Sequence, residues 1–242
     1  MPDAPTGPTT TLRIASYNLR GLKDDAGAAA AVVRAIAPDV LLLQEVPRYP
    51  GSSYAISSFA RATGLLWSGR TRLVSGTSLM TSVRVQSADA QDRRLRVGLR
   101  ENPRSYTITT VRAPGGVEVS VASVHLSLDA EQRVDHARTV LAEIAADPAH
   151  PADQPLVVGG DLNEDGDGTA WGHLAAELTE VSDELATFPA ARPHRRIDAL
   201  FARGHLTAAP GDPARLEGMP LAAASDHLPV WVDLTFARAG TA

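Results

Sequence analysis

Six apolar runs in this sequence end in, or are introduced by, a residue that can hold a metal, move a proton or grip a phosphate. Asn18 closes the run 12–17, Glu45 follows 40–43 and Gln44, His125 closes 117–124, and Asp161 with Asn163 follows 156–158. Asp198 stands in Arg196-Ile197-Asp198 at the start of the run 197–201, and Asp226-His227 immediately precedes 228–236. One such residue is an ordinary turn former. Together they offer hard oxygen donors and two histidines, the set that metal-assisted hydrolysis of a phosphate ester uses. Magnesium takes one or two carboxylates and keeps several waters, so it suits this set, with manganese as the other candidate. Such an ion acts as a Lewis acid on a phosphoryl oxygen. Glu45, at the end of the most buried run, is the expected direct ligand. Asp198 beside His227 would orient the imidazole and support its positive charge, and Asn18 and Asn163 add neutral donors or acceptors.

The stretch GGDLNEDGDG at 159–168 also matches the first half of an EF-hand calcium loop, through Asp161, Asn163, Asp165 and Gly166. That motif needs a bidentate glutamate at its twelfth position, where this chain has Gly172, and it needs flanking helices, whereas a β-prone run enters here. The calcium reading fails. Gly159 and Gly160 are expected to let the backbone bend toward Asp161 and Asn163, with Glu164, Asp165 and Asp167 as a solvated run-out before a helix near Trp171.

The elements that must position these groups follow from periodicity. Alternation predicts a strand over 12–17, alanine-rich propensity a helix over 25–37 stopped by Pro38, and an unbroken apolar run a doubly buried strand over 40–43. A weaker helix is predicted over 53–63, and a hairpin over 106–124 turns at Ala113-Pro114-Gly115-Gly116. A helix over 129–146 carries Val134, Ala137, Leu141 and Ile144 on one face, with Asp129 and Gln132 as a capping pair. Strands at 156–158, 197–201 and 228–236 complete a layered α/β or α+β domain with two packed sheets. One domain is expected over 11–237, with a loose tail at 1–10 and a frayed end at 238–242.

The 242 residues are 44% hydrophobic and 21% charged, ordinary for a folded globular chain, and the net charge of −5 leaves only local patches to hold a polyanion. With no cysteine, thiolate catalysis, zinc–thiolate sites and disulfides are excluded. The first residues lack the basic start and apolar stretch of a signal peptide, and no apolar run spans a bilayer. A cytoplasmic monomer is the expectation.

Ser16-Tyr17-Asn18-Leu19, Leu43-Gln44-Glu45-Val46, Ser123-Val124-His125-Leu126, Gly159-Gly160-Asp161-Leu162-Asn163, Arg196-Ile197-Asp198 and Ser225-Asp226-His227-Leu228-Pro229-Val230 resemble, in order, the signature of the endonuclease/exonuclease/phosphatase superfamily. Thr187-Phe188-Pro189 resembles that family's approach to its aspartate. The resemblance implies a deoxyribonuclease I-like four-layer α/β sandwich, with two mostly antiparallel sheets flanked by helices and the site at one rim. It also implies a divalent ion, usually magnesium, held by Glu45 with Asn18 and Asp226 in or near its shell. Asp161 and His227 would handle the attacking water, Asn163 would position the phosphate, His125 would contact it or the leaving group, and Asp198 would orient His227. The expected substrate is a phosphate ester, with DNA, RNA, a lipid or a small phosphoester as rivals.

The stretch Gly76–Thr81 matches the family's middle strand only loosely, and the tyrosine-bearing stretch of the abasic endonucleases is missing. His125 points instead to the deoxyribonuclease I and sphingomyelinase side. Arg192, Arg195 and Arg196 could line the substrate cleft, whereas Arg93, Arg94 and Arg96 read as solvated surface. Trp67 and Trp171 read as packing, and His136, His150, His173 and His205 are given no role. The alternative function is a catalytically silent binding or scaffold domain that keeps the fold.

Overall fold

The computed structural model describes residues 9–67, 75–98 and 102–237. Most of the expected tail and all of the expected frayed end lie outside them, but the first strand, β1 (Thr9–Asn18), begins inside the stretch assigned to the tail. Helix α1 (Ala26–Ile36) starts where Asp25 accepts the N–H groups of Gly27 and Ala28 and stops before Pro38. Strand β2 (Val40–Gln44) and helix α2 (Ser52–Thr63) follow, then β3 (Ser78–Thr81), β4 (Gln86–Ser87) and β5 (Gln91–Leu95). The expected hairpin is β6 (Arg104–Arg112) with β7 (Glu118–His125). Helix α3 (Ala130–Ala146) is capped by Asp129, whose carboxylate accepts the Gln132 N–H. Next come β8 (Leu156–Asp161), α4 (Thr169–Glu177), β9 (Thr179–Glu180), β10 (Asp198–Arg203), β11 (Leu206–Pro210), α5 (Leu221–Ala224) and β12 (Val230–Ala237).

Among the described residues the strands form two sheets, in the orders β11-β12-β1-β2-β3 and β4-β6-β7-β8-β10-β9, with β5 also paired to β6. Each sheet is mixed: β1 runs parallel to β2 in one and β7 parallel to β8 in the other, while the remaining pairs are antiparallel. The short strands β3, β4, β5, β9 and β11 lack a long apolar run, so they carry no clear signal in the sequence.

Side-chain alternation sorts the core into three slabs. Leu12 and Ile14 of β1, Val40 and Leu42 of β2, and Val119 and Val121 of β7 meet between the sheets. Ala15, Tyr17, Leu41 and Leu43 face the other way, onto Val32, Val33 and Ile36 of α1 and Phe59 of α2. Ala122, Val124 and Val158 pack outward onto Ala137, Val140 and Ile144 of α3 and Trp171 of α4. The result is a helix–sheet–sheet–helix sandwich. Leu41, Leu42 and Leu43 are wholly inaccessible, and burial of each contributes roughly 1.5–3 kcal/mol. The buried face of α3 differs from the expected one: Val140 is buried and Val134 and Leu141 lie only at its edge, because the helix packs through His136, Ala137, Val140 and Ile144.

Candidate active site

The inward-facing positions change character toward one end of the sandwich. In β1 they run Leu12, Ile14, Ser16, Asn18, in β2 Val40, Leu42, Gln44, and in β7 Val119, Val121, Ser123, His125. The apolar slab therefore gives way to a polar one. Ser16 Oγ donates to Gln44 Oε1 (3.2 Å), Gln44 Nε2 donates to Ser123 Oγ (3.0 Å), and Ser123 Oγ donates to Leu43 O (2.9 Å). This buried bridge fastens the two sheets directly beneath the rim, and no motif in the sequence singled out Ser16 or Ser123 for it. All three groups are satisfied, so their burial carries little penalty.

Register then brings the catalytic candidates together. His125 pairs with Asp161 across β7 and β8, and Asp161 with Asp198 across β8 and β10. Asp161 Oδ2 is the hub: it accepts from Asn18 Nδ2 (2.9 Å) and lies 3.4 Å from His125 Nε2 and 3.7 Å from His227 Nε2. His227 Nδ1 meets Asp198 Oδ2 at 2.9 Å, and the same oxygen accepts Thr187 Oγ1 at 2.6 Å. Asp198 Oδ1 is buried without a partner. Phe188 packs its ring on His227, with centroids 4.9 Å apart. Ser225 Oγ donates to Asn18 O, tying the segment before β12 to the end of β1.

Glycine makes this convergence possible, though not by bending. Gly159 and Gly160 lie inside β8, and a Cβ on Gly160 would fall 1.9 Å from Val124 O while one on Gly159 would fall 2.3 Å from Leu200 Cδ2. The pair removes side chains where β7, β8 and β10 press together, which corrects the expectation of a bend.

Electrostatics separates the titrating groups. Burial, reinforced by the Asp198 carboxylate, raises Asp161 to about 7, against the opposing pull of His227 and the hydrogen bonds from Asn163 N and Asn18. Burial by itself would lower His227, but the charge and hydrogen bond of Asp198, then Asp161 and Asp226, outweigh it and raise it to about 10. Burial, with Arg104, His227 and Arg48 nearby, holds His125 well below the ordinary imidazole value. The free site at neutral pH thus contains a cationic His227 and a neutral His125.

The other candidates sit at the mouth. Glu45 lies one residue beyond β2 with φ +48, and Asn18 Nδ2 approaches its Oε1 at 3.5 Å. Arg20 (φ +47) and Leu22 (φ +53) are also left-handed, and their turn is clamped by Leu19 N donating to Gln44 O and Gly21 N to Glu45 O. Such conformations persist only where neighbours over-determine them. Arg20 joins Asp226 (Nε to Oδ2, 3.2 Å) to Asp24. Asn18 Oδ1 accepts the Arg20 N–H, so its amide nitrogen faces the carboxylates and donates to Asp161. Asn163, also left-handed at φ +56, donates its N–H to Asp161 Oδ1 and its Nδ2 to Leu126 O.

A cleft of about 410 Å³ opens over this set, lined by Glu45, His125, Asp161, Asn163, Asp226 and His227. Lys23, Arg48, Arg104 and Arg195 line it too, and the first three were not foreseen because each is a lone basic residue in its sequence context. Arg195 is held by Asp165, whose Oδ2 accepts Nε and Nη2 at 3.1 and 3.0 Å. Arg196 is turned away: its guanidinium stacks on Trp171, 4.8 Å from the ring centre, and pairs with Glu180. Arg192 is exposed and does not line the cleft. Glu164 is not solvated either; it is buried, accepts Trp171 N at the start of α4 and pairs with Arg133 at 3.0 Å. Arg133 also donates to Ser127 O and Leu128 O, so this ion pair joins the loop after His125 to the loop after Asp161.

Asp161, Asp198 and His227 present ligand atoms within 4.8 Å of one another, all buried, and could hold a metal ion. Among the described residues no helix is long and apolar enough to cross a membrane.

The model of the endonuclease/exonuclease/phosphatase family matches residues 15–227. No curated protein sequence matches the chain. Among solved structures, the chain is similar to an endonuclease/exonuclease/phosphatase family protein from Bacteroides thetaiotaomicron, with 18% identity over 95% of this chain and 99% of that one and a TM-score of 0.73. It is similar to ANGEL2, described as a 2',3'-cyclic phosphatase, at 15% identity over 95% and 96% of the two chains with a TM-score of 0.74. It is also similar to D. rerio TDP2 complexed with a single-strand DNA product, at 20% identity over 93% and 98% with a TM-score of 0.68. At these identities the likeness establishes the deoxyribonuclease I-like fold.

Proposed function

The chain belongs to the endonuclease/exonuclease/phosphatase family, and from that premise we propose that it is a magnesium-dependent phosphodiesterase, acting as a monomer. The observation that carries the reading is the hub at Asp161 Oδ2, where one carboxylate oxygen faces Asn18, His125 and His227 at the floor of a cleft.

The donor set fits a hard cation. Glu45 and Asp226 bring two half-buried carboxylates to the same cleft, and oxygen donors suit magnesium or manganese. These two residues would hold the ion. The Asp161–Asp198–His227 group fits a hard cation less well, because an imidazole nitrogen is a softer donor than a carboxylate and His227 Nδ1 is already bonded to Asp198 Oδ2 at 2.9 Å. A bound magnesium ion would supply Lewis-acid polarisation of a phosphoryl oxygen.

The protein's own groups divide the remaining work. Asp161, raised to about 7, is placed to take a proton from the attacking water as its oxygen bonds to phosphorus and the bond to the leaving oxygen breaks. Asn18 and Asn163 N–H fix the Asp161 rotamer from either side. His227, held cationic and oriented by Asp198, directs Nε2 toward the phosphoryl charge that develops. His125 stays neutral and contacts the phosphate or leaving group. Arg195, fixed by Asp165, adds a phosphate contact.

The family's breadth leaves nucleic acid, lipid and small phosphoesters as substrate classes. Relatives described as a cyclic phosphatase and as holding a DNA product favour a diester. The experiment is hydrolysis of bis(p-nitrophenyl) phosphate and p-nitrophenyl phosphate with magnesium, manganese or EDTA. Metal-dependent turnover that prefers the diester is expected, with Asp161→Asn and His227→Ala each losing most of it while staying folded. A folded Asp161→Asn protein with full turnover would overturn the mechanism. No turnover of either compound or of plasmid DNA would favour a silent binding domain.

A further inference from the structure

A cavity of about 690 Å³ lies outside the cleft, between β5 and α3. Arg94 of β5, Arg96 just beyond it and Arg138 of α3 line it. Among the described residues none of these three guanidinium groups has an ion-pair partner, whereas the adjacent Arg93 is paired with Asp147 and bonded to Tyr106. That is unexpected in a chain whose 28 acidic residues outnumber its 23 lysines and arginines. Two carboxylates share the wall, Asp135 and Glu143, but Glu143 already accepts the Tyr106 hydroxyl at 2.6 Å. The Arg96 backbone is fastened to α3, since His136 Nε2 meets Arg96 O at 2.6 Å. The two arginine-bearing walls are therefore held to each other.

The cavity adjoins the catalytic rim. In the β5–β6 pairing Leu95 faces Arg104, which lines the cleft, and Arg94 faces Ser105, the partner of His125. Leu128 borders the cleft and Gln132, a little further along, borders the cavity. Basic side chains thus continue from Arg48 and Arg104 in the cleft to Arg94, Arg96 and Arg138 beyond it. A single scissile phosphate needs only the cleft, and a second basic basin beside it suits a substrate that repeats its phosphates.

We propose that this cavity is a second phosphate-binding site, which takes a phosphodiester of a nucleic-acid strand beyond the one hydrolysed in the cleft. The inference rests on the phosphodiesterase reading, so its test uses binding without metal, and turnover of bis(p-nitrophenyl) phosphate by the unaltered enzyme tests that reading separately. Fluorescence anisotropy of a labelled oligo(dT) long enough to span cleft and cavity is measured in EDTA over a salt series. The same series is run with thymidine dinucleotide and inorganic phosphate as competitors. For single strands each phosphate contact contributes about 0.7 to the slope of log affinity against log salt. The triple variant Arg94→Gln, Arg96→Gln, Arg138→Gln should lower that slope by about 2, and Arg138→Gln alone by about 0.7, with the dinucleotide a poor competitor. An unchanged slope in a folded triple variant overturns the proposal. So does a cavity that binds inorganic phosphate in an arginine-dependent way while the oligonucleotide does not bind.

Discussion

Replacing Gly160 with alanine tests the link between strand packing and catalysis. Gly160 lies in β8 beside Val124 of β7 and Ala199 of β10. Its φ of +153 disfavours an L side chain, and an ideal Cβ would lie 1.9 Å from Val124 O, 2.9 Å from Val124 C and 3.0 Å from Val124 N. All three contacts are backbone, so no rotamer can relieve them. β7 and β8 must separate by about an ångström or more for the methyl to fit. Overpacking of this kind costs about 1–3 kcal/mol and an unfavourable φ about as much again, so Gly160→Ala should destabilise by roughly 3–5 kcal/mol. That is a large part of the ~5–15 kcal/mol of a typical domain. Function should fall as well, because Asp161 is the next residue and its Oδ2 depends on Asn18 at 2.9 Å and His125 at 3.4 Å. A displacement near an ångström costs on the order of a hundredfold in rate. Urea unfolding followed by circular dichroism, together with turnover of bis(p-nitrophenyl) phosphate, reads both effects. Gly172→Ala is the control: nothing lies within 4 Å of its Cβ inside α4, and helix propensity there should add up to ~1 kcal/mol. A Gly160→Ala protein with the parent's urea midpoint would refute the packing argument. One that is destabilised yet fully active would refute the coupling to the site.

Two further outcomes follow from groups around the site and at the far end of the sheets. Glu164→Gln removes the charge from a buried pair whose side chains are only 9% and 12% exposed and leaves Arg133 uncompensated, so a loss of about 3 kcal/mol is expected in urea unfolding; a change below ~0.5 kcal/mol, the range of ordinary surface substitutions, would contradict the pairing. His150, buried beside Ser120 and Thr110, is lowered from its ordinary value by burial, opposed by Asp147 and aided by Arg93. Its neutral form is the one the fold prefers, so its contribution is present above the unfolded value near 6.5 and is lost as pH falls below it. His150→Gln should therefore make the urea midpoint fall less between neutral and mildly acidic pH than it does in the parent, and parallel pH curves would show that His150 is not the titrating group.

The sequence by itself determined the long elements and the identity of the rim. β2 and β8 are apolar on both faces and β1 and β7 carry long buried stretches, so their runs stand out, and a polar residue where each run stops is visible without a structure. α1 was legible through its alanine-rich run and the stop at Pro38, and α3 through Asp129, which closes its first turn locally. Short edge strands such as β4 and β9 were not legible, because two residues of ladder have no periodicity and exist only through β6 and β10.

Tertiary structure decided everything that depends on direction and proximity. Arg195 and Arg196 are neighbours in sequence, yet Asp165 holds one on the cleft wall while Trp171 and Glu180 take the other. Glu164 and Asp167 look alike in an acidic run, yet one is buried under Arg133 and the other is exposed. Asn18 was foreseen at the site, but only the Arg20 N–H, which donates to its Oδ1, shows that its oxygen is engaged and its nitrogen faces Asp161. Residue type sets which chemistry is available, and it is written in the chain. Which atom meets which depends on the registers of β7, β8 and β10 and on desolvation by both sheets, and these exist only once the layers have packed.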